Sequence, residues 1–351
     1  MSRLRAAITG VGHYAPPKVL TNQDLERMVD TSDEWIRTRT GILERRIADE
    51  STATSDMAVE AALRALENAH ARAEDLDFVI VATATPDMPY PATAALVQAR
   101  IGATKAGACD VTCGCSGFIY ALNMGAQFIA AGAYRKVLVV GADTLSKVTD
   151  FTDRNTCVLF GDGAGAVVLE AAAEGYGILS FSLRSDGSGS HLLYLKAGGS
   201  RCPATAETVA RREHFTVMAG SEVFRFAVRV VAEATQAVLV EAGVGVDDVA
   251  LFIPHQANLR IIEAASKRLN ISMERVFVNL DRYGNTSCGS IPMALSEAVV
   301  AGRLKDGDLL VMCGFGAGLS WGATVMRWSP TRVSASPEQA PAEAVGEPVV
   351  N

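Results

Sequence analysis

The sequence has no uninterrupted apolar run of membrane-spanning length, so its positive mean hydropathy reflects the Ala, Val and Leu of a soluble core. It also lacks a basic excess: 32 Lys plus Arg stand against 39 Asp plus Glu, for a formal charge of −7. A nucleic-acid binder needs a concentrated basic face, so phosphate-backbone binding is excluded as the main activity, while one small basic docking patch is not. Paired cysteine spacing is missing too. Cys109, Cys113 and Cys115 run C-x3-C-x-C with no histidine nearby, which is not a zinc pattern, and seven thiols make a disulfide framework a poor expectation. No metal is predicted. The glycine stretches at 161–165 and 314–318 do not continue as G-x-G-x-x-G, and no G-K-[ST] occurs, so dinucleotide and P-loop readings fail. Both stretches read as close-packing turns, the second one presenting a backbone N–H to an oxyanion. Residues 1–12 hold two early arginines but no apolar h-region or cleavage site, and they read as a first strand. The expectation is a soluble, intracellular, cytoplasmic protein.

What is present is a generous apolar inventory, 49% hydrophobic against 20% charged, over 351 residues, enough for two domains or one double-layered one. Buried-strand patterns at 78–83, 136–141, 251–254 and 308–313 alternate with helical patterns at 55–68, 117–131, 223–242 and 259–270. Such alternation predicts an α/β fold with mixed or parallel sheets. There is an internal echo. From Cys115 and again from Cys288, a small-residue turn opens a helix with Ala-Leu near its start and a Val/Leu strand after it. A half-length repeat predicts duplication of one α/β unit, with the two helices packed together at the centre. Residues 329–351 hold four prolines and no aromatic, and read as a disordered tail. Residues 197–213, with Arg211 and Arg212, read as a surface excursion.

Three residues carry candidate chemistry. Cys115 stands at a strand-to-helix turn between Gly114, Ser116 and Gly117, where helix N–H groups lower a thiol pKa and small neighbours admit an acyl group. His255 ends a buried strand in PHQAN, and strand ends of α/β sheets collect active sites. Asn285 lies in GNTSCGS, a turn before a helix. Separately, each has a plain structural alternative: a cysteine in a tight turn, a satisfied histidine, an asparagine turn former. Together at three corners they form a thiol-acyl transfer constellation.

The segments DTSDEWIRTRTGI (30–42), DVTCGCSGFIYAL (110–122), DRNTCVLFGDGAGA (153–166), MAGSEVF (218–224), PHQANLRII (254–262), DRYGNTSCGSIP (281–292) and GFGAGLSWG (314–322) resemble β-ketoacyl-acyl-carrier-protein synthase III. The resemblance covers about residues 3–328, in order. It implies a thiolase-like fold of duplicated α/β halves in five layers (αβαβα), with an N-terminal half over 1–172 and a C-terminal half over 173–328, usually as a homodimer. Cys115 would take an acyl group from an acyl-CoA primer in a ping-pong cycle. His255 and Asn285 would then bond the thioester carbonyl of malonyl-acyl carrier protein during decarboxylation. The N–H groups of Cys115 and Ala317 would hold the tetrahedral oxyanion. No cofactor is implied.

For CoA, the resemblance implies Trp35, Arg39 and Arg154 around the adenine and phosphates, with Thr31, Phe224 and Asn258 along the pantetheine. Tyr90 would enter the partner subunit's acyl pocket. Arg260, Lys267 and Arg268, at i, i+7 and i+8 of one helix, would dock the acidic carrier protein, with Glu263 partly offsetting them. Departures from the family pattern are Gly114 for an alanine, Ser221 for a longer asparagine, Cys288 for an alanine, and the extra thiol Cys113. The rival readings are a relative using a secondary-metabolite primer or another acceptor, and a non-catalytic carrier-protein-binding scaffold. The intact Cys115, His255 and Asn285 speak against the scaffold.

Overall fold

The computed structural model describes residues 4–329. Nine strands build two sheets: β1 (Ala6–Tyr14), β2 (Phe78–Ala82), β3 (Gly107–Val111), β4 (Lys136–Thr144), β5 (Asp162–Ala171), β6 (Gly177–Ser185), β7 (Val249–Pro254), β8 (Leu309–Gly316) and β9 (Ser320–Arg327). The first sheet has the order β1-β5-β4-β2-β3, the second β7-β8-β9-β6. In the first, β2 is parallel to β3 and β4, while β5 is antiparallel to β1 and β4. In the second, β7 and β8 are parallel, and β9 runs antiparallel to β8 and β6. All strands of the first sheet fall before residue 172 and all of the second after it.

Seven helices matter to the layering: α1 (Asp33–Thr40), α2 (Thr54–Asn68), α3 (Thr93–Arg100), α4 (Gly117–Ala130), α5 (Gly220–Ala242), α6 (Leu259–Leu269) and α7 (Ser290–Val300). Their place follows from how apolar residues are distributed around each. GFIYALNMGAQFIA and SIPMALSEAVV are apolar nearly all round, so α4 and α7 belong between sheets. There Phe118, Ile119 and Leu122 share one core with Ile291, Leu295, Ile80, Val139, Ile253 and Met312. The amphipathic helices α2, α5 and α6 have one apolar face each and cover the outside. Met57, Ala61 and Ala65 of α2 pack on Val79, Leu138 and Val168 of the first sheet. Val230 and Val238 of α5, with Ile262 of α6, pack on Phe252, Val311 and Val325 of the second. The result is helix, sheet, helix, sheet, helix: five layers.

The strands read from sequence at 78–83, 136–141, 251–254 and 308–313 are present within a few residues, and so are the four helices. The opening segment is a strand, shifted to Ala6–Tyr14. Both glycine-turn readings are corrected: residues 314–316 end β8, and only 317–319 form a turn. The 161–165 glycine stretch is not a turn but enters β5, which lies inside the first sheet. Its Gly165 is required by close approach, since a Cβ there would lie 2.5 Å from the Met293 backbone nitrogen of α7. The segment 197–213 is largely exposed yet ordered by partners. Glu213 receives Lys196 and Arg211, Arg212 pairs with Asp150, and a short helix spans Ala206–Ala210. Of the tail expected from residue 329, all but Ser329 lies outside the described residues. Among the described residues no helix is long and apolar enough to cross a membrane.

Candidate active site

Cys115, His255 and Asn285 line one cavity, together with apolar Leu159, Met218, Val223, Phe224 and Phe315. Three corners of the fold deliver them. Cys115 sits in the turn between β3 and α4, directly before Ser116, the residue that precedes the helix. The Ser116 and Ser320 hydroxyls lie 2.8 Å apart, each 2.8 Å from the Cys113 carbonyl, and Ser320 also reaches the Ala317 carbonyl at 2.7 Å. The Cys115 turn and the 317–319 turn between β8 and β9 are thereby tied together. Their contact is tight enough to demand glycines. A Cβ on Gly316 would fall 2.4 Å from the Cys115 nitrogen, and one on Gly114, whose φ is +50°, 2.7 Å from the Ala317 nitrogen.

His255 follows β7, where its N–H donates to the Cys313 carbonyl at 2.8 Å. Its ring meets Phe315 edge-on, with centroids 5.2 Å apart, and its Nδ1 lies 2.6 Å from Ser290 Oγ at the start of α7. Only 1% of His255 is exposed, and desolvation pulls its pKa down to about 3, so the imidazole is neutral. Asn285 is anchored through its backbone: its N–H donates to the Leu159 carbonyl at 2.8 Å, and its own carbonyl accepts from Gly161 at 3.0 Å. Its Oδ1 accepts from the Ser287 N–H at 2.9 Å. Ser287 adopts φ +48° to close this turn.

The expected fall in the Cys115 pKa is not what the structure gives. Burial pushes the thiol up to about 12, and the Ser287 hydroxyl opposes this only in part. Desolvation of the thiolate outweighs the pull of the helix N–H groups, so the resting group is a thiol. Cys288, whose Sγ donates to the Gly114 carbonyl at 3.0 Å, is likewise raised by burial.

The predicted CoA residues divide into two sets. Phe224 and Asn258 line the cavity. Asn258 also caps α6, accepting from the Arg260 N–H at 2.9 Å and donating to the Arg39 carbonyl at 3.1 Å. Thr31, Trp35, Arg39 and Arg154 lie outside the cavity lining, toward the surface. The Arg154 guanidinium covers the Trp35 ring at 4.7 Å and donates to the Asp30 carbonyl at 2.9 Å. Thr31 keeps a buried hydroxyl without a partner. Arg39 is exposed and enters no ion pair among the described residues. Tyr90 does not reach the cavity of its own chain and stands 85% exposed. Arg260, Lys267 and Arg268 are all exposed on α6; Arg268 is 3.7 Å from Glu233, and Arg260 lies over Phe224.

Sequence reasoning missed Ser290, Phe315, Arg45 and the hairpin Leu193–Leu195/Thr216–Met218, which supplies Leu193 and Met218 to the cavity. Arg45 is fully buried, and its guanidinium holds Asn22 Oδ1 at 2.8 Å and the Val158 carbonyl at 2.6 Å. It lies in the short strand Glu44–Arg46, which pairs with Val19–Thr21 in a hairpin.

Five alternating layers with a buried thiol at the head of a central helix define a condensing enzyme of the thiolase class, and known proteins narrow that class. The family model for 3-oxoacyl-[acyl-carrier-protein] synthase III matches residues 109–187, and the model for its C-terminal part matches 239–328. The β-ketoacyl-[acyl-carrier-protein] synthase III of Caldanaerobacter subterraneus subsp. tengcongensis is 57% identical over 327 residues, 93% of this chain and 99% of its own. The Thermus thermophilus synthase III crystal structure has 50% identity and a TM-score of 0.86, covering 92% of this chain and 99% of that one. The priming β-ketosynthase of the R1128 polyketide pathway has 35% identity and a TM-score of 0.86, covering 93% and 97%. The chain belongs to the β-ketoacyl-acyl-carrier-protein synthase III family.

Proposed function

We propose that this chain initiates fatty-acid synthesis by condensing a short acyl-CoA primer, acetyl or short branched, with malonyl-acyl carrier protein. The observation that carries the reading is the convergence of Cys115, His255 and Asn285 on one cavity of a chain in this family. In the first half-reaction the Cys115 sulfur attacks the primer thioester. The thiolate is the attacking form, so the Cys115 proton must leave as the S–C bond forms, and it ends on the departing CoA sulfur. The Arg154–Trp35 pair offers a stacking and cationic surface for the adenine and phosphates, with Arg39 beside it. Thr31, Phe224 and Asn258 then follow the pantetheine inward. In the tetrahedral intermediate, oxyanion charge falls to the N–H groups of Cys115 and Ala317.

In the second half-reaction the malonyl thioester carbonyl faces His255 and the Asn285 NH₂. Loss of CO₂ places enolate charge on that oxygen, where two fixed donors in a desolvated cavity stabilise it better than water does. The carbanion attacks the acyl-Cys115 carbonyl, and the β-ketoacyl product leaves a thiolate that recovers a proton. Neither half-reaction calls for an external oxidant or reductant. Supporting proposals are a cytoplasmic homodimer in which Tyr90 enters the partner's acyl pocket, and two duplicated halves over 1–172 and 173–328.

The primer class separates this reading from that of the polyketide-priming relative, whose identity of 35% is well below the 57% of the fatty-acid synthase III. The test is CO₂ release from malonyl-acyl carrier protein by the acylated protein. His255→Ala and Asn285→Ala should each still form acyl-Cys115, yet release CO₂ about 10²–10³-fold more slowly, the range for losing one oxyanion donor. Wild-type rates in both variants would remove them from the mechanism.

A further inference from the structure

A neutral imidazole has two nitrogens and one proton, and the neighbours decide which nitrogen carries it. Around His255 the neighbours are few. Nδ1 lies 2.6 Å from Ser290 Oγ, both side chains are buried, and among the described residues Nε2 is the ring nitrogen left without a hydrogen-bond partner. Ser290 Oγ also faces the backbone N–H of Gln256 at 3.4 Å, and that group can only donate. Among the described residues the Ser290 hydroxyl proton therefore has one acceptor, His255 Nδ1. The reverse arrangement, with Nδ1–H donating to Ser290, would strand a hydroxyl proton in a buried site.

We infer that Ser290 is a positioning residue which donates to His255 Nδ1 and so fixes the histidine proton on Nε2. The inference rests on the proposed decarboxylating role of His255. In that role an Nε2–H meets the thioester oxygen with a donor, whereas the opposite tautomer would present a lone pair to a developing negative charge. Ser290 suits this task because it is the first residue of the central helix α7 and cannot drift. The turn before it is held by the Cys288 N–H on the buried Asp143 carboxylate at 3.0 Å. The ring is fixed from the other side by Phe315. A carboxylate in place of Ser290 would favour the imidazolium, while a hydroxyl orients the ring and leaves it neutral.

The experiment is a long-range ¹H–¹⁵N spectrum of the full protein labelled in its five histidines, with His255 assigned by difference from His255→Asn. The wild type should show Nε2 protonated and Nδ1 bare. Ser290→Ala should populate the other tautomer and lower kcat for malonyl decarboxylation at least tenfold, with KM for malonyl-acyl carrier protein changed less than about threefold; loss of tautomer control over a catalytic histidine costs that much or more. Ser290→Thr, which keeps the hydroxyl, should restore both the spectrum and most of the rate. A wild-type proton on Nδ1 would overturn the inference, as would a Ser290→Ala protein that keeps Nε2–H and full turnover. Failure of the wild type to take any acyl group from CoA would sink the functional reading instead, and leaves the tautomer measurement standing.

Discussion

Cys115 and His255 are both held neutral by the same burial, and for the histidine this has a measurable cost. Its folded pKa is depressed to about 3, whereas the unfolded chain titrates near the ordinary 6.5. Below pH 6.5 the unfolded state takes up a proton that the folded state refuses. Stability from this group is therefore complete above pH 6.5 and lost progressively as pH falls toward 3, at up to about 1.4 kcal/mol per pH unit. Urea unfolding between pH 7 and 5 should show a steeper loss for wild type than for His255→Gln. Equal slopes would mean that His255 protonates freely in the folded protein. Cys115 and Cys313, both pushed up to about 12, work at the opposite end and weaken the fold as pH rises beyond the ordinary thiol range.

At the scale of elements, the corner that carries Asn285 is tied to its surroundings by buried polar groups. Arg45 joins the hairpin to the 157–161 segment through Val158, and Asn285 hangs on that segment through Leu159 and Gly161. On its other side Arg45 holds Asn22, whose amide donates to Asp33 at the start of α1 and to the Ile42 carbonyl. Burial without a carboxylate partner pulls its pKa down to about 10. Arg45→Ala orphans three acceptors, on Leu20, Asn22 and Val158, and opens a cavity, so it should cost roughly 3 kcal/mol or more in denaturant unfolding. A loss below about 0.5 kcal/mol would show that these contacts are solvent-replaceable. None of this was legible in the sequence, because either of the two adjacent arginines in ERRI reads as surface. Strand and helix order was legible, since apolar runs and helical periodicity report burial directly. So was the layer of α4 and α7, whose apolar residues run all round. Cys115, His255 and Asn285 could be picked out because each ends an element. Ser290 could not, although it lies in the same GNTSCGS segment, because only the packing of α7 against β7 brings its hydroxyl to His255. The lowered thiol pKa was the opposite failure: helix position is visible in sequence, and the depth of burial that overrides it is not.

Across the whole molecule, a chain of net charge −7 keeps exposed Arg260, Lys267 and Arg268 on α6, the helix that follows the cavity-lining Asn258. Arg268 is partly neutralised by Glu233, so the proposed docking of an acidic carrier protein would fall mainly to Lys267 and Arg260. Lys267→Glu should raise KM for malonyl-acyl carrier protein several-fold and flatten its salt dependence, while primer loading from free CoA thioesters is little changed. Steady-state kinetics at two ionic strengths checks this, and an unaltered KM would move the docking face elsewhere. The central claim, that Cys115 is the acyl acceptor, is tested most directly by intact-protein mass after incubation with acetyl-, isobutyryl- and longer acyl-CoAs. The account predicts a single acyl adduct on wild type, none on Cys115→Ala, and fastest labelling by a short primer. An adduct that survives in Cys115→Ala, or no adduct with any CoA thioester, would contradict it.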